Sequence, residues 1–111
     1  MGSAVFAAQV AAQDVFTAPA NKAVHVTQVI IDNVMEVVDD ITVTLQDSFT
    51  AEVTNGVAVP AAVTPAKLIL SALRTNLVTL PEGVGPIKIL NTCQITCDVA
   101  AANTNITIVW E

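Results

Sequence analysis

The sequence is poor in charge and in aromatic rings, and both shortages restrict its function. Charged residues make up 13% of its 111 residues, about half the usual share, aromatic residues make up 4%, and tyrosine is absent. Sugar-binding platforms are usually built from Trp or Tyr, so this composition argues against a carbohydrate-binding module. The net charge is −6, which disfavours nucleic acid and anionic membranes as partners.

Cysteine and histidine are also scarce. Cys93 and Cys97 are four residues apart, which is about 13 Å in a strand and too far for a disulfide. We therefore expect two reduced core thiols on one face with Ile95. No second cysteine pair completes a zinc site. The one histidine, His25, lies inside a predicted strand without a nucleophile motif nearby, so we expect no catalytic residue, no enzyme activity and no cofactor.

Targeting signals are missing from the opening residues. No Lys or Arg precedes the apolar start, Gln9, Gln13 and Asp14 interrupt it, and no stretch reaches the roughly 20 apolar residues of a membrane span. We expect a soluble product made in a host cytoplasm.

Four acidic residues in one connector are the best candidates for a metal site: Asp32, Glu36, Asp39 and Asp40. Calcium needs six to eight oxygen ligands. The spacing matches no EF-hand, and the connector has no glycine for its sharp turn. A solvated connector explains these residues better, and no metal is expected.

The residues that are present alternate as in strands. Ile41, Val43 and Leu45 are predicted to point inward, and the Thr and Gln residues between them outward. Strands at near-regular spacing with turns between them predict an all-β fold, a small antiparallel β-sandwich or jelly roll, with residues 1–111 as one domain. Residues 1–15 fit either an extended arm or the first edge strand.

Further local patterns give expectations about faces and breaks. In the strand that begins near Val24, the residues Val24, Val26, Gln28 and Ile30 are expected to share one face. Asn55-Gly56 predicts a hairpin. Other expectations are a short helical turn within 33–40, two strand pieces within 67–81, a bend near Asn91 and a turn over residues 100–105.

One long stretch resembles a known class of proteins. "FTAPANKAVHVTQVIIDNV…DDITVTLQD" is similar to the start of many small phage and phage-like virion proteins, in which a "TAPA" turn leads into a "VxVxxVIIxN" strand and then a "TVTL" strand. The resemblance implies a β-sandwich that decorates or cements a capsid, or that lies in the neck or a tail fibre. The apolar connector at Val34-Met35-Glu36-Val37-Val38 departs from this pattern, which usually has Ser, Thr or Gly there.

Together these observations predict a non-enzymatic capsid decoration (cement) protein on the virion surface. Its expected partners are the major capsid protein or another virion protein, and further copies of itself in a dimer or trimer. The expected interface residues are Val5, Phe6, Val10, Val34, Met35, Val37 and Val38. The alternatives are a neck or tail-fibre sandwich and a module that binds carbohydrate or a host surface.

Overall fold

The computed structural model describes residues 2–48, 66–81 and 83–111, which form two antiparallel sheets. The hairpin predicted at Asn55-Gly56 lies outside the described residues. The strands are β1 (Gly2–Ala8), β2 (Gln13–Thr17), β3 (Val24–Asp32), β4 (Ile41–Asp47), β5 (Ala66–Ala72), β6 (Leu77–Thr79), β7 (Ile87–Ile89), β8 (Thr92–Cys97) and β9 (Ala101–Trp110).

The strand order is that of a jelly roll. One sheet has the order β1-β9-β3-β6, with β7 also paired to β3, and the other has the order β2-β8-β4-β5. β6 pairs with residues Ile30–Asp32 and β7 with Val24–Val26, so β6 and β7 share one strand position along β3. Eight strand positions then form two Greek keys, which is the jelly-roll arrangement. The predicted all-β sandwich is confirmed.

The core lies between the sheets and follows the predicted alternation in most strands. Ile41, Val43 and Leu45 are buried, as are Cys93, Ile95 and Cys97 on the neighbouring strand. Phe16 of one sheet stacks on Trp110 of the other with ring centroids 4.7 Å apart. This stack joins the two sheets at the end where β2 and β9 finish.

Two of the expectations about strands are wrong. β3 carries a bulge between Val26 and Gln28, so Thr27 is an extra residue and the core-facing set becomes Val26, Val29 and Ile31. A bulge reverses the face of every later residue, which strict alternation cannot anticipate. The segment 100–105 is not a turn, because β9 begins at Ala101; the residues between β8 and β9 are 98–100.

The predicted breaks are found where Asn and Thr interrupt the apolar pattern. Residues 67–81 contain two strands, β5 and β6, and the chain bends at Asn91, between β7 and β8. The buried carboxylate of Asp47 holds this bend by accepting bonds from the amides of Leu90 (2.8 Å) and Asn91 (3.1 Å). Residues 33–40 form turns and bends rather than a helical turn. Of the residues for which an arm or a first edge strand was expected, 2–8 form the edge strand β1 of one sheet and 13–15 belong to β2 of the other.

Candidate functional site

Four chain connections meet at one end of the sandwich. Because β1, β3, β5 and β8 all run toward this end, the segments 9–12, 33–40, 73–76 and 98–100 lie there. Most of the large apolar side chains that are exposed in the described part of the chain belong to this end or border it. This end of the sandwich is therefore the candidate site.

Six of these side chains form what we call the apolar tip: Val34, Met35, Val37, Val38, Leu73 and Leu77. Met35 is 72% exposed, and Val37 and Val38 are 69% and 67% exposed. Exposed apolar side chains grouped in this way are typical of surfaces that contact another protein. The first four members come from the β3–β4 connection, Leu73 follows β5, and Leu77 is the first residue of β6.

Asn33 anchors the apolar tip from below and is fully buried. Its side-chain amide donates to the carbonyls of Asp39 (3.2 Å), Ala72 (3.4 Å) and Leu73 (3.2 Å). Its side-chain oxygen accepts a bond from the hydroxyl of Thr104, which is also buried. One amide side chain thus joins the β3–β4 connection to the end of β5 and to β9, because its partners lie on these three parts of the chain.

The turn after β5 adds further hydrogen bonds to those of Asn33, and together they form a hydrogen-bonded frame under the apolar tip. Thr75 has φ 66°, and its amide donates to the carbonyls of Asn33 (3.0 Å) and Glu36 (2.9 Å). The amide of Arg74 donates to Oδ1 of Asp40 at 2.9 Å. These bonds bind the two connections of the tip to one another, so the apolar side chains are presented by a fixed backbone. Residues held in this way lose little conformational entropy when a partner binds.

Three of the four acidic candidates, Asp32, Glu36 and Asp40, accept backbone hydrogen bonds in the same network. Asp32 accepts from the amide of Val34 (3.2 Å) and Glu36 from the amide of Val38 (3.0 Å), as Asp40 does from Arg74. Among residues 2–48, 66–81 and 83–111, no three potential ligands of the His, Cys, Asp or Glu type are placed to hold a metal ion. Asp32 and Glu36 thus close local turns, and the Asp40 carboxylate joins the two connections of the tip.

The remaining sequence-predicted interface residues are not among the six of the apolar tip, although Val10 lies at the same end of the sandwich. Val5 is on the outer face of β1 and 63% exposed, and Val10 lies in the β1–β2 connection. Phe6 is on the inner face of β1 and packs against the core. His25 exchanges two backbone hydrogen bonds with Glu111 (3.0 and 2.9 Å), which places it where β3 and the end of the chain lie side by side.

The two cysteines are free and buried, which confirms that they form no disulfide. Burial raises the pKa of Cys93 to about 12, with a smaller contribution from the nearby Asp47 carboxylate. Burial also raises the pKa of Cys97, against a lowering effect of its hydrogen bond to the Gln9 backbone. Thiols with raised pKa values are poor nucleophiles at neutral pH.

Sequence reasoning found four members of the apolar tip and missed Leu73 and Leu77, which it assigned to strand pieces. It also treated Asn33 as the residue that closes β3. Asn33 and Thr104 are 71 residues apart, and no local pattern connects them.

Comparison with known proteins found no matching protein-family model, no similar curated protein and no similar solved structure. The described residues include no helix of sufficient length and apolar character to cross a membrane.

Proposed function

We propose that this chain is a non-enzymatic structural protein that docks through its apolar tip onto a larger protein assembly, and that the assembly is a viral capsid that it decorates. The observation that carries the proposal is the exposure of the six tip side chains on a hydrogen-bonded frame. The jelly-roll topology supports a virion role, because capsid proteins use this architecture, although lectins share it.

The surface chemistry favours a protein partner. Covering six side chains that are about half to three-quarters exposed gains about 6 to 9 kcal/mol of gross hydrophobic free energy, before the costs of association are subtracted. The net charge of −6 works against a phosphate-rich partner. The apolar tip itself contains no charged side chain among its six members, so its binding does not depend on ion pairs.

Within the part of the chain that the structure describes, the carbohydrate alternative has no aromatic platform at this site. The rings of Phe16 and Trp110 stack on each other and, like Phe6, pack against the core. A sugar-binding surface needs an exposed ring face, and none of these three is at the apolar tip.

The proposal is tested by co-sedimentation with undecorated capsids from the same source, at low salt and at about 1 M salt. We expect the chain to sediment with the capsids at both salt concentrations, because hydrophobic contacts are not screened. Met35→Asp and Val38→Asp should each reduce binding at least 10-fold, since each places a charge in a contact that excludes water.

A matched control separates docking from general surface charge. Ile69 is 63% exposed and lies on β5, away from the apolar tip, so Ile69→Asp should bind capsids as the unmodified chain does. Binding that is lost at high salt, or that falls equally in Ile69→Asp and Met35→Asp, contradicts docking through the apolar tip.

A further inference from the structure

The outer edge of β1 differs from the other sheet edges in carrying no charge. β1 is the terminal strand of its sheet and pairs with β9 on one side. Neither Gly2–Ala8 nor Ala101–Trp110 contains a charged side chain. Natural sheets usually protect an open edge with lysine, proline, a bulge or a very short strand. The opposite edge of this sheet has two three-residue strands, β6 and β7, and β5 has Lys67. The remaining edge, β2, has a bulge and Asp14, whereas the register shift of β1 lies at its last two residues, Ala7 and Ala8.

The pairing pattern shows which backbone groups of β1 have no partner strand among the described residues. Glu111 and His25 exchange backbone bonds, so the N–H and C=O of Glu111 point to β3. Because these groups alternate sides along an antiparallel strand, those of Trp110 and Ile108 point to β1. The backbone N–H and C=O groups of their partners Gly2 and Ala4 therefore point to β9. By the same alternation, the backbone groups of Ser3, Val5 and Ala7 point outward.

A separate contact supports this direction. The side-chain amide of Gln13 donates to the carbonyl of Ala7 at 3.0 Å, so this carbonyl does face away from β9. A carbonyl has a second lone pair and can still accept a bond from another strand. The side chains of Ser3, Val5 and Ala7 are also exposed on the outer face of the sheet.

We propose that the β1 edge binds the β1 edge of a second copy of this chain, antiparallel about a two-fold axis at Val5. The axis at the midpoint of β1 sets Val5 opposite Val5 of the second copy, and Ser3 opposite Ala7. This register pairs every outward backbone group of these three residues, in about six hydrogen bonds. It also covers the exposed Val5 side chain with an apolar neighbour.

The symmetry of the edge identifies the occupant as a second copy, because the outward groups of Ser3, Val5 and Ala7 are evenly spaced about Val5 and match the same strand in antiparallel orientation. Each chain carries a net charge of −6, so two copies repel each other wherever their acidic residues approach. The charge-free β1 and β9 place the contact where this repulsion is smallest. The edge of one strand covers less than the roughly 800 Å² per partner of a standard interface, so the dimer dissociates on dilution through the micromolar range.

The pairing has a geometric consequence for the proposed docking function. β1 ends beside the connections of the apolar tip, and the two copies of β1 run in opposite directions. The dimer therefore presents its two apolar tips at opposite ends of one continuous sheet and can join two docking sites. This consequence rests on the proposed function, whereas the β1 pairing is tested on the isolated protein.

Cross-linking tests the register. Val5→Cys sets two sulfurs on residues whose Cα atoms are about 5.5 Å apart in a hydrogen-bonded pair, within the range of a disulfide. Mild oxidation should link this variant into dimers at concentrations where the chain self-associates. Ser3→Cys is the control, because the two Ser3 residues lie about 13 Å apart in this register. The native Cys93 and Cys97 are buried and stay reduced.

Sedimentation analysis tests the contact without oxidation. Val5→Lys should weaken the dimer at least 10-fold, whereas Ile69→Lys, at a position with the same 63% exposure, should leave it unchanged; thermal melts check that both variants fold. A chain that stays monomeric up to about 1 mM overturns the proposal. Equal cross-linking of Ser3→Cys and Val5→Cys overturns the register and with it the two-fold axis at Val5.

Discussion

Replacement of Asn33 is the sharpest test of how the apolar tip is held. Asn33→Ala removes three donated hydrogen bonds and one accepted bond at a side chain that is 0% exposed. The bonds to Ala72 and Thr104 are buried, and each buried group left without a partner costs about 1–3 kcal/mol. We expect a loss of about 3 kcal/mol in the free energy of unfolding, and a Tm lower by about 10–20 °C.

The assay is urea unfolding followed by the fluorescence of Trp110, the single tryptophan. Asn103→Ala is the control, because Asn103 is exposed on β9, and it should stay within about 0.5 kcal/mol of the unmodified chain. Thr104→Val keeps the shape of the side chain but removes the hydroxyl that bonds to Asn33, and should cost about 1–2 kcal/mol.

The double variant decides whether Asn33 and Thr104 act together. Each single change removes the same hydrogen bond between Asn33 and Thr104. The double variant should therefore lose less free energy of unfolding than the two single variants added together, by at least about 0.5 kcal/mol. Costs that add fully, or an Asn33→Ala variant within 1 kcal/mol of the unmodified chain, would refute the role given to Asn33.

Three further changes test other parts of the structure. Gly2→Ala places a Cβ 2.3 Å from the indole ring of Trp110, so it should displace that ring from Phe16, shift its fluorescence and cost about 1–3 kcal/mol; an unchanged spectrum would argue against this packing. Asp47→Ala leaves two backbone amides without this acceptor and should cost about 3 kcal/mol in urea unfolding, whereas a cost below about 1 kcal/mol would count against the Asp47 contacts. For Cys93, the folded-state pKa lies above the unfolded value of 9.0, at about 12. The folded state therefore retains a proton that the unfolded state loses, and stability should fall by up to about 4 kcal/mol as pH rises from about 9 to 12. Cys93→Ala should fall less over this window, and the thiolate absorbance at 240 nm is readable because tyrosine is absent; an equal fall in both proteins would refute the assignment to Cys93.

The fold was predictable to the extent that local pattern determines it. Alternation located β4 and the inward face of β8, and the interruptions by Asn and Thr located the bend at Asn91 and the break between β5 and β6. The bulge in β3 could not be read in this way, because it depends on how the strand pairs with β9. The start of β9 was missed because the sequence from 100 to 105 has the small and polar residues of a turn.

The candidate site was also predictable only where a local sequence pattern determines it. The connector from Val34 to Val38 is apolar where polar residues are usual. Because this contrast lies within a few consecutive residues, the sequence alone was enough to detect it. Its frame depends on contacts between residues far apart in the chain. Asn33 meets Ala72 and Thr104, which are 39 and 71 residues away, only after the sheets assemble.

Methionine oxidation tests docking through the apolar tip most directly. Met35 is 72% exposed in the free chain, so dilute hydrogen peroxide should convert it readily to the sulfoxide, which peptide mass spectrometry resolves from Met1. In capsid-bound protein that remains bound throughout, we predict that Met35 is oxidised at least 10-fold more slowly, because the partner covers its thioether. Oxidation of Met35 at the same rate in free and bound protein would contradict docking through the apolar tip.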